Sequence, residues 1–219
     1  MEYTEILEEL QSLSHDDAAE RAALVGIHPT TTVYGVRIPD LRRMAKEIEI
    51  NHDLAGELWN TQIHDARILA SMIADPEQVT EAQMESWAKD FDSWDICDQC
   101  CINLFRKTDF ALYKAVEWSS REEAFIKRAA FALMAVLAVH DKAADDDQFL
   151  EFLPIIQLEA EDGRNFVKKA VSWALRQIGK RNPDLRSAAI HVAETLQQSS
   201  MKPARWIAND ALRDLADND

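Results

Sequence analysis

Apolar residues in this 219-residue chain recur at i, i+3, i+4 and i+7 almost from end to end. That spacing lines side chains up along one face of a 3.6-residue helix. The segments Leu41–Ile48, Ala66–Ile73, Phe125–Val139, Phe166–Ile178, Leu185–Leu196 and Trp206–Leu215 all carry it, and strand-like alternation is nearly absent. Five glycines and six prolines are too few for many tight hairpins. The breaks fall where backbone chemistry asks for them. Pro39 suits the first turn of a helix, while Asp75-Pro76, Asp162-Gly163 and Asn182-Pro183 punctuate others. Thr30-Thr31-Thr32 is β-branched and leads into the permissive Tyr34-Gly35, and Asp145–Asp147 places acid at a helix N-terminus. The expectation is an all-α chain of about a dozen helices of ordinary length.

A short pattern returns five times: a basic residue set among small and apolar ones, in Ala66-Arg-Ile-Leu-Ala70, Lys127-Arg-Ala-Ala130, Lys168-Lys-Ala-Val171, Leu185-Arg-Ser-Ala-Ala189 and Ala204-Arg-Trp-Ile-Ala208. The intervals are mostly in the range of roughly 30–40 residues typical of paired-helix repeats. Such pairs cannot bury their faces alone and stack into a curved solenoid of antiparallel helix pairs with a concave surface. Ordinary alanine-rich amphipathic helices are the alternative, and recurrence at five places favours the array. We expect one repeat domain over residues 1–219.

The apolar fraction of 47% excludes a disordered chain. No stretch approaches eighteen uninterrupted apolar residues, so no membrane association is expected, and the acidic, amphipathic start Met1–Leu10 is unlike a signal peptide. The expectation is a soluble, cytoplasmic monomer. Cys97, Cys100 and Cys101 sit within about one helical turn and do not form a disulfide framework. Cys97-x2-Cys100 could open a zinc site, but no second pair exists and no histidine lies near in sequence. Buried thiols are the better reading, with no metal and no cofactor.

The formal net charge is -15, yet Arg164–Arg205 holds nine Lys/Arg against Asp184 and Glu194, a local +7. An acidic shell with one basic stretch and tryptophans beside it suits a polyanion-binding groove. Within the stretch, Trp173 lies among Lys169, Arg176 and Lys180 at helical spacing, an indole among cations. The bland alternative is a packed indole with cations at its rim. Trp94 and Asp98, at i and i+4, share a helix face. Asp98 beside an indole is uncommon as pure packing, because burying an unpaired acid is costly, although capping or an arginine partner would explain it. Arg128 precedes a strongly apolar run and could simply snorkel. There is no glycine-rich phosphate loop, no Gly-x-Ser-x-Gly and no His-Glu-x-x-His, and the six histidines lack metal-ligand spacing.

Taken in order, Tyr34-Gly-Val-Arg-Ile-Pro-Asp-Leu-Arg42, Glu57-Leu-Trp59, Ser93-Trp-Asp-Ile-Cys-Asp98, Ile126-Lys-Arg-Ala-Ala130 and Val167–Pro183 resemble the AlkD-type DNA alkylation-repair glycosylases, which are built from HEAT-like repeats. The resemblance runs from about Tyr34 to the C-terminus. It implies excision of cationic N3- and N7-alkylated purines from double-stranded DNA, with neither metal nor base flipping. Asp98 then resembles the catalytic carboxylate, and Trp94 and Trp173 the tryptophans that contact the lesion-bearing nucleotide. Arg128 resembles the arginine on the DNA backbone, which Lys168, Lys169, Arg176, Lys180 and Arg181 would also contact. Two positions depart from the family pattern: Ala22–Gly26 brings no aromatic residue, and Phe125 stands where tryptophan is common. The competing reading is a catalytically silent HEAT-like repeat protein that binds DNA structures or a protein partner, which the net charge favours.

Overall fold

The computed structural model describes residues 1–216, and among them the chain forms thirteen α-helices. Besides an isolated parallel bridge between Thr32 and Ile63, the described residues contain no strand. The all-α expectation holds. The helices group into two compact units, one ending at Thr108 and one beginning at Asp109.

The first unit contains α1 (Tyr3–Ser12), α2 (Ala18–Leu24), α3 (Ile38–Ile48), α4 (His52–Asn60), α5 (His64–Ile73), α6 (Glu81–Lys89), α7 (Trp94–Asn103) and a 3₁₀ turn at Phe105–Lys107. Local chemistry sets the boundaries. Asn51 and Thr80 accept the Leu54 and Gln83 amides, capping α4 and α6, which satisfies donors that a helix start leaves unpaired. The helices bury Ile6, Leu10, Leu41, Met44, Leu58 and Leu69 completely. Trp59 and Trp87 stack at 4.0 Å with Phe91 edge-on to Trp59, a geometry that adds to simple area burial.

The second unit contains α8 (Ala111–Glu117), a 3₁₀ turn at Trp118–Ser120, α9 (Ala124–His140), α10 (Asp146–Glu159), α11 (Asn165–Gly179), α12 (Pro183–Gln197) and α13 (Lys202–Ala216). Helix α9 is buried from Ile126 to Ala138, as a helix apolar on every side must be. It packs on α8 and α11, and α11 packs in turn on α12 and α13. Gly179 lets these last helices converge: a Cβ there would lie 2.8 Å from Leu215 and 3.0 Å from Ala189. Asn182 caps α12 with Pro183 at its first position, and Asp145–Asp147 opens α10, both as the sequence predicts.

The repeat is written in the tertiary hydrogen bonds. In the first unit, His52 meets Gln83, Trp59 meets Asp90 and His64 meets Asp95, each pair 31 residues apart. In the second, Arg128 meets Phe166, Ser172 meets Asp210 and Arg176 meets Asp214, each pair 38 apart. A constant offset means that each helix pair presents the same face to the next. Several recurring basic residues serve this stacking. Arg67, 8% exposed, donates to the Trp59 and Asp90 carbonyls and lies over the Trp59 ring. Lys127, 9% exposed, pairs with Glu159 and Asp162. Arg67 and Lys127, two basic residues of the recurring pattern, thus join neighbouring helices.

Candidate functional site

Helix α7 carries the first group. Ser93 precedes it in extended geometry, and Trp94 is its first residue. Trp94 is half-buried, with its indole N–H donating to the Val25 carbonyl at 3.2 Å. One turn on, Asp98 is 9% exposed, so an indole and a largely buried carboxylate do share one helix face. Asp95, between them in sequence, faces another way. Its Oδ2 meets His64 Nε2 at 2.7 Å and its Oδ1 accepts the Ser93 hydroxyl at 2.7 Å.

Sequence reasoning missed this His64–Asp95 pair. His64 is 4% exposed at the start of α5. Burial opposes its charged form, but the hydrogen bond and charge of Asp95, with the charges of Asp65 and Asp92 behind them, outweigh burial and raise its pKa above the ordinary histidine value. Burial likewise opposes the Asp95 carboxylate, and the bond and charge of His64, aided by Ser93 and the Ile96 amide, hold it below the usual range. Both shifts favour a buried ion pair. Asp65 has a different role. At 2% exposure it accepts the Tyr34 and Val36 amides, each at 2.7 Å. Between those amides Gly35 has φ of +75°, a conformation that costs other residues roughly 1–2 kcal/mol, and a Cβ there would lie 2.8 Å from Ala18. The Tyr34-Gly35 motif is thus fixed from α5. The signal available in sequence was the repeat offset, which pairs His64 with Asp95.

Helices α9 and α11 carry the second group. Arg128 is 6% exposed, and its Nη1 donates to the Phe166 carbonyl at 2.6 Å near the start of α11. The Phe125 and Phe166 rings pack together at 5.5 Å. On α11, Trp173 is half-buried, Lys169 is exposed, and Lys168 sits over the Trp206 ring at 4.4 Å, a cation–π contact. Two of the cations expected around Trp173 are paired with carboxylates. Arg176 reaches Asp210 and Asp214, each at 3.4 Å, and Lys180 reaches Asp214 at 2.6 Å. Burial would raise the Asp214 pKa, yet Lys180 and Arg176 hold it below the usual range. Arg181, with its side chain 9% exposed, donates to the Ala138 and Ala144 carbonyls and lies 4.3 Å from the Phe149 ring centre. It holds α9, α10 and α11 in place, whereas the sequence pattern suggests a phosphate contact.

Trp94 and Asp98 thus belong to the first unit, and Arg128, Trp173 and the basic residues to the second. The three cysteines are buried and carry no disulfide, and burial pushes the Cys100 thiol well up. No group of three or more His, Cys, Asp and Glu among the described residues is disposed to hold a metal ion. No helix among them is long and apolar enough to cross a membrane.

A family profile described as DNA alkylation repair enzyme matches residues 6–215. Two curated relatives are the uncharacterized protein Lin0241 of Listeria innocua, 28% identical over 117 residues, and the uncharacterized protein Lmo0209 of Listeria monocytogenes, 26% identical over 113. These matches cover 52% and 50% of this chain and about half the length of each relative. A solved structure aligns over 97% of this chain and 94% of its own with a TM-score of 0.81 at 20% identity. It is described as "a new family of proteins related to the HEAT-like repeat DNA glycosylases with affinity for branched DNA structures". That likeness establishes the HEAT-like repeat fold.

Proposed function

The chain belongs to the DNA alkylation repair enzyme family, and from that premise we propose that it is a DNA glycosylase that hydrolyses the N-glycosidic bond of cationic N3- and N7-alkylated purines. The observation that carries this reading is the pairing on α7 of the Trp94 indole with a carboxylate, Asp98, kept 9% exposed. An alkylated purine already bears positive charge, so its departure needs little acid catalysis. What remains is to stabilise an oxocarbenium-like sugar and to place a water, and a fixed carboxylate does both. Indole faces attract the cationic base and the sugar C–H groups, the roles given to Trp94 and Trp173. Arg128, whose Nη1 donates to the Phe166 carbonyl, is the planar cation assigned to a backbone phosphate, and Lys168 and Lys169 add backbone contacts.

The test is release of 3-methyladenine or 7-methylguanine from methylated duplex DNA by the wild type and by Asp98→Asn. The substitution keeps shape and deletes the charge. A preorganised electrostatic group of this kind is worth about 2.7–4 kcal/mol, so excision should slow roughly a hundred- to a thousandfold with DNA affinity held. An unchanged rate would remove Asp98 from the mechanism.

A second reading has its own support. The structurally similar family is described as having affinity for branched DNA, and here Arg176, Lys180 and Arg181 are engaged within the fold. A protein that binds DNA structures without cleaving them would bind tightly to a four-way junction and release no base from methylated duplex.

A further inference from the structure

Helix α10 is apolar on two sides. Its inward side buries Phe149, Phe152, Leu153 and Ile156 against α9, α11 and α12. Its outward side carries Leu150, 40% exposed, an exposed Pro154, and Leu158, 74% exposed. Residues at i, i+4 and i+8 fall close to one line along a helix, so these three form a stripe about 12 Å long at roughly 1.5 Å per residue. Helix α12, packed beside α10, exposes Ser187, His191, Glu194 and Thr195 and has no exposed large apolar side chain. Apolar residues exposed singly are ordinary, whereas aligned ones rimmed by polar groups mark interaction surfaces.

The surroundings of the stripe select its occupant. A surface cavity of about 500 Å³ opens on it, lined by Pro154, Gln157, Leu158 and Glu161. An aliphatic wall with a carboxylate at its rim suits lysine or arginine, whose stem packs on apolar surface while the charged head reaches an acid. Pro154 stands inside the helix and lacks the N–H that would bond the Leu150 carbonyl. An acceptor therefore lies within the stripe without its helical donor. The charge is of one sign: between Lys142 and Arg164 the chain carries seven acids and no base. Asp147, Glu151 and Glu161 are exposed and make no ion pair with the described residues. Such a face repels a phosphate backbone and anionic lipid headgroups. A second copy, meeting it through a two-fold contact, would set the same acids against each other. A helix with an apolar stripe between cations is complementary in both shape and charge.

We propose that the outward side of α10 docks a basic amphipathic helix of a partner protein. Its apolar residues lie along Leu150, Pro154 and Leu158, and its lysines or arginines meet Asp147, Glu151 and Glu161. The inference is independent of the glycosylase reading, since no residue of this face is assigned to DNA.

The test is fluorescence anisotropy of the whole protein with a labelled helical peptide of leucine and lysine, leucines at i, i+3, i+4 and i+7. The same peptide with glutamate in place of lysine is the counter-probe. Saturable binding of the lysine peptide and none of the glutamate peptide is expected. Leu150→Ser combined with Leu158→Ser keeps every charge and should weaken binding about tenfold or more. Glu151→Lys combined with Glu161→Lys should do the same through charge, and keeps the test open should the serine variant fail to fold by circular dichroism. Glu8→Lys combined with Glu57→Lys makes an equal charge change at exposed positions of α1 and α4, and should weaken binding by no more than about twofold, because exposed charges beyond about 10 Å are screened. Equal weakening by that control pair overturns the proposal, since attraction to an acidic chain as a whole would then account for binding. Absence of peptide binding, or full affinity in a folded serine variant, overturns it too. A dimer in analytical ultracentrifugation that Leu158→Ser dissociates would make a second copy the occupant, and loss of duplex DNA binding in the serine variant would make it DNA; either result also overturns it.

Discussion

Replacing Asp95 removes the charge that favours the cationic form of buried His64, and the cost follows from the local geometry. His64 is 4% exposed and meets Asp95 at 2.7 Å. Asparagine can still accept an N–H from a neutral imidazole, so Asp95→Asn exchanges a charge-assisted bond for a neutral one. The first kind is worth about 1.5–3 kcal/mol and the second about 0.5–1.5, giving a loss of about 1–2 kcal/mol. Asp95→Ala removes the acceptor as well, and breaking a buried pair from one side costs about 3–5 kcal/mol. The 18% exposure of the Asp95 side chain places the expected loss at the lower end. The pH dependence has a definite sign. His64 is raised in the folded state, so its share of stability is complete below the unfolded histidine value of about 6.5 and fades as pH rises through the folded one. Asp95 is lowered, so its share is present above about 3.9 and fades as pH falls through its folded value. Urea unfolding followed by circular dichroism should therefore show the largest deficit of Asp95→Asn between about pH 4 and pH 6.5, shrinking at alkaline pH. A deficit that is flat from pH 5 to 9, or that grows above pH 8, would refute the ion pair.

Arg128→Lys should weaken DNA binding by about tenfold even if the fold survives, because a point-charge ammonium cannot hold a phosphate bidentately as a planar guanidinium can; full affinity by fluorescence anisotropy would leave Arg128 a purely structural role. Lys169→Glu should weaken binding across all sequences and flatten the salt dependence by about one charge, measured as log affinity against log salt. An unchanged slope would move the interface away from α11. Gly35→Ala combines a left-handed backbone penalty of roughly 1–2 kcal/mol with overpacking of about 1–3 against Ala18. A denaturation midpoint equal to wild type would show that the Tyr34–Val36 loop can relax.

Helices were legible in the sequence because their signal is local. Apolar spacing, Pro183 after Asn182 and the acids at Asp145–Asp147 each act within a turn or two, and each marks a real boundary. Trp94 and Asp98 were legible for the same reason, since i and i+4 on one helix fix which face they share. What could not be read was long-range partnership. Arg67 and Lys127 look like surface cations in sequence, and only the stacked helix shows the carbonyls and carboxylates that absorb them. Asp210 and Asp214 lie beyond the basic stretch in sequence, so a charge count over 164–205 misses them, although they sit one repeat away from Ser172 and Arg176. His64 and Asp95 are ordinary residues until the 31-residue offset brings them together.

These long-range partnerships also bear on how an acidic chain could engage DNA. The net charge of -15 opposes long-range attraction, which falls off over about 10 Å at ordinary ionic strength. The basic stretch does not reverse this, because Arg176 and Lys180 carry carboxylates from α13 and Arg164 carries Asp162. A phosphate must displace those acids, so each such contact yields only the difference between two ion pairs. Lys169 is exposed and makes no ion pair with the described residues, so a phosphate contact there would give the full value. Affinity built this way depends on contacts being formed in register and little on electrostatic steering. It penalises undistorted duplex, where few phosphates reach the exchanging cations, and favours DNA whose backbone is already displaced, by a cationic lesion or by a branch. The acidity thus opposes non-specific binding more than it opposes DNA binding as such, and both functional readings draw on that discrimination.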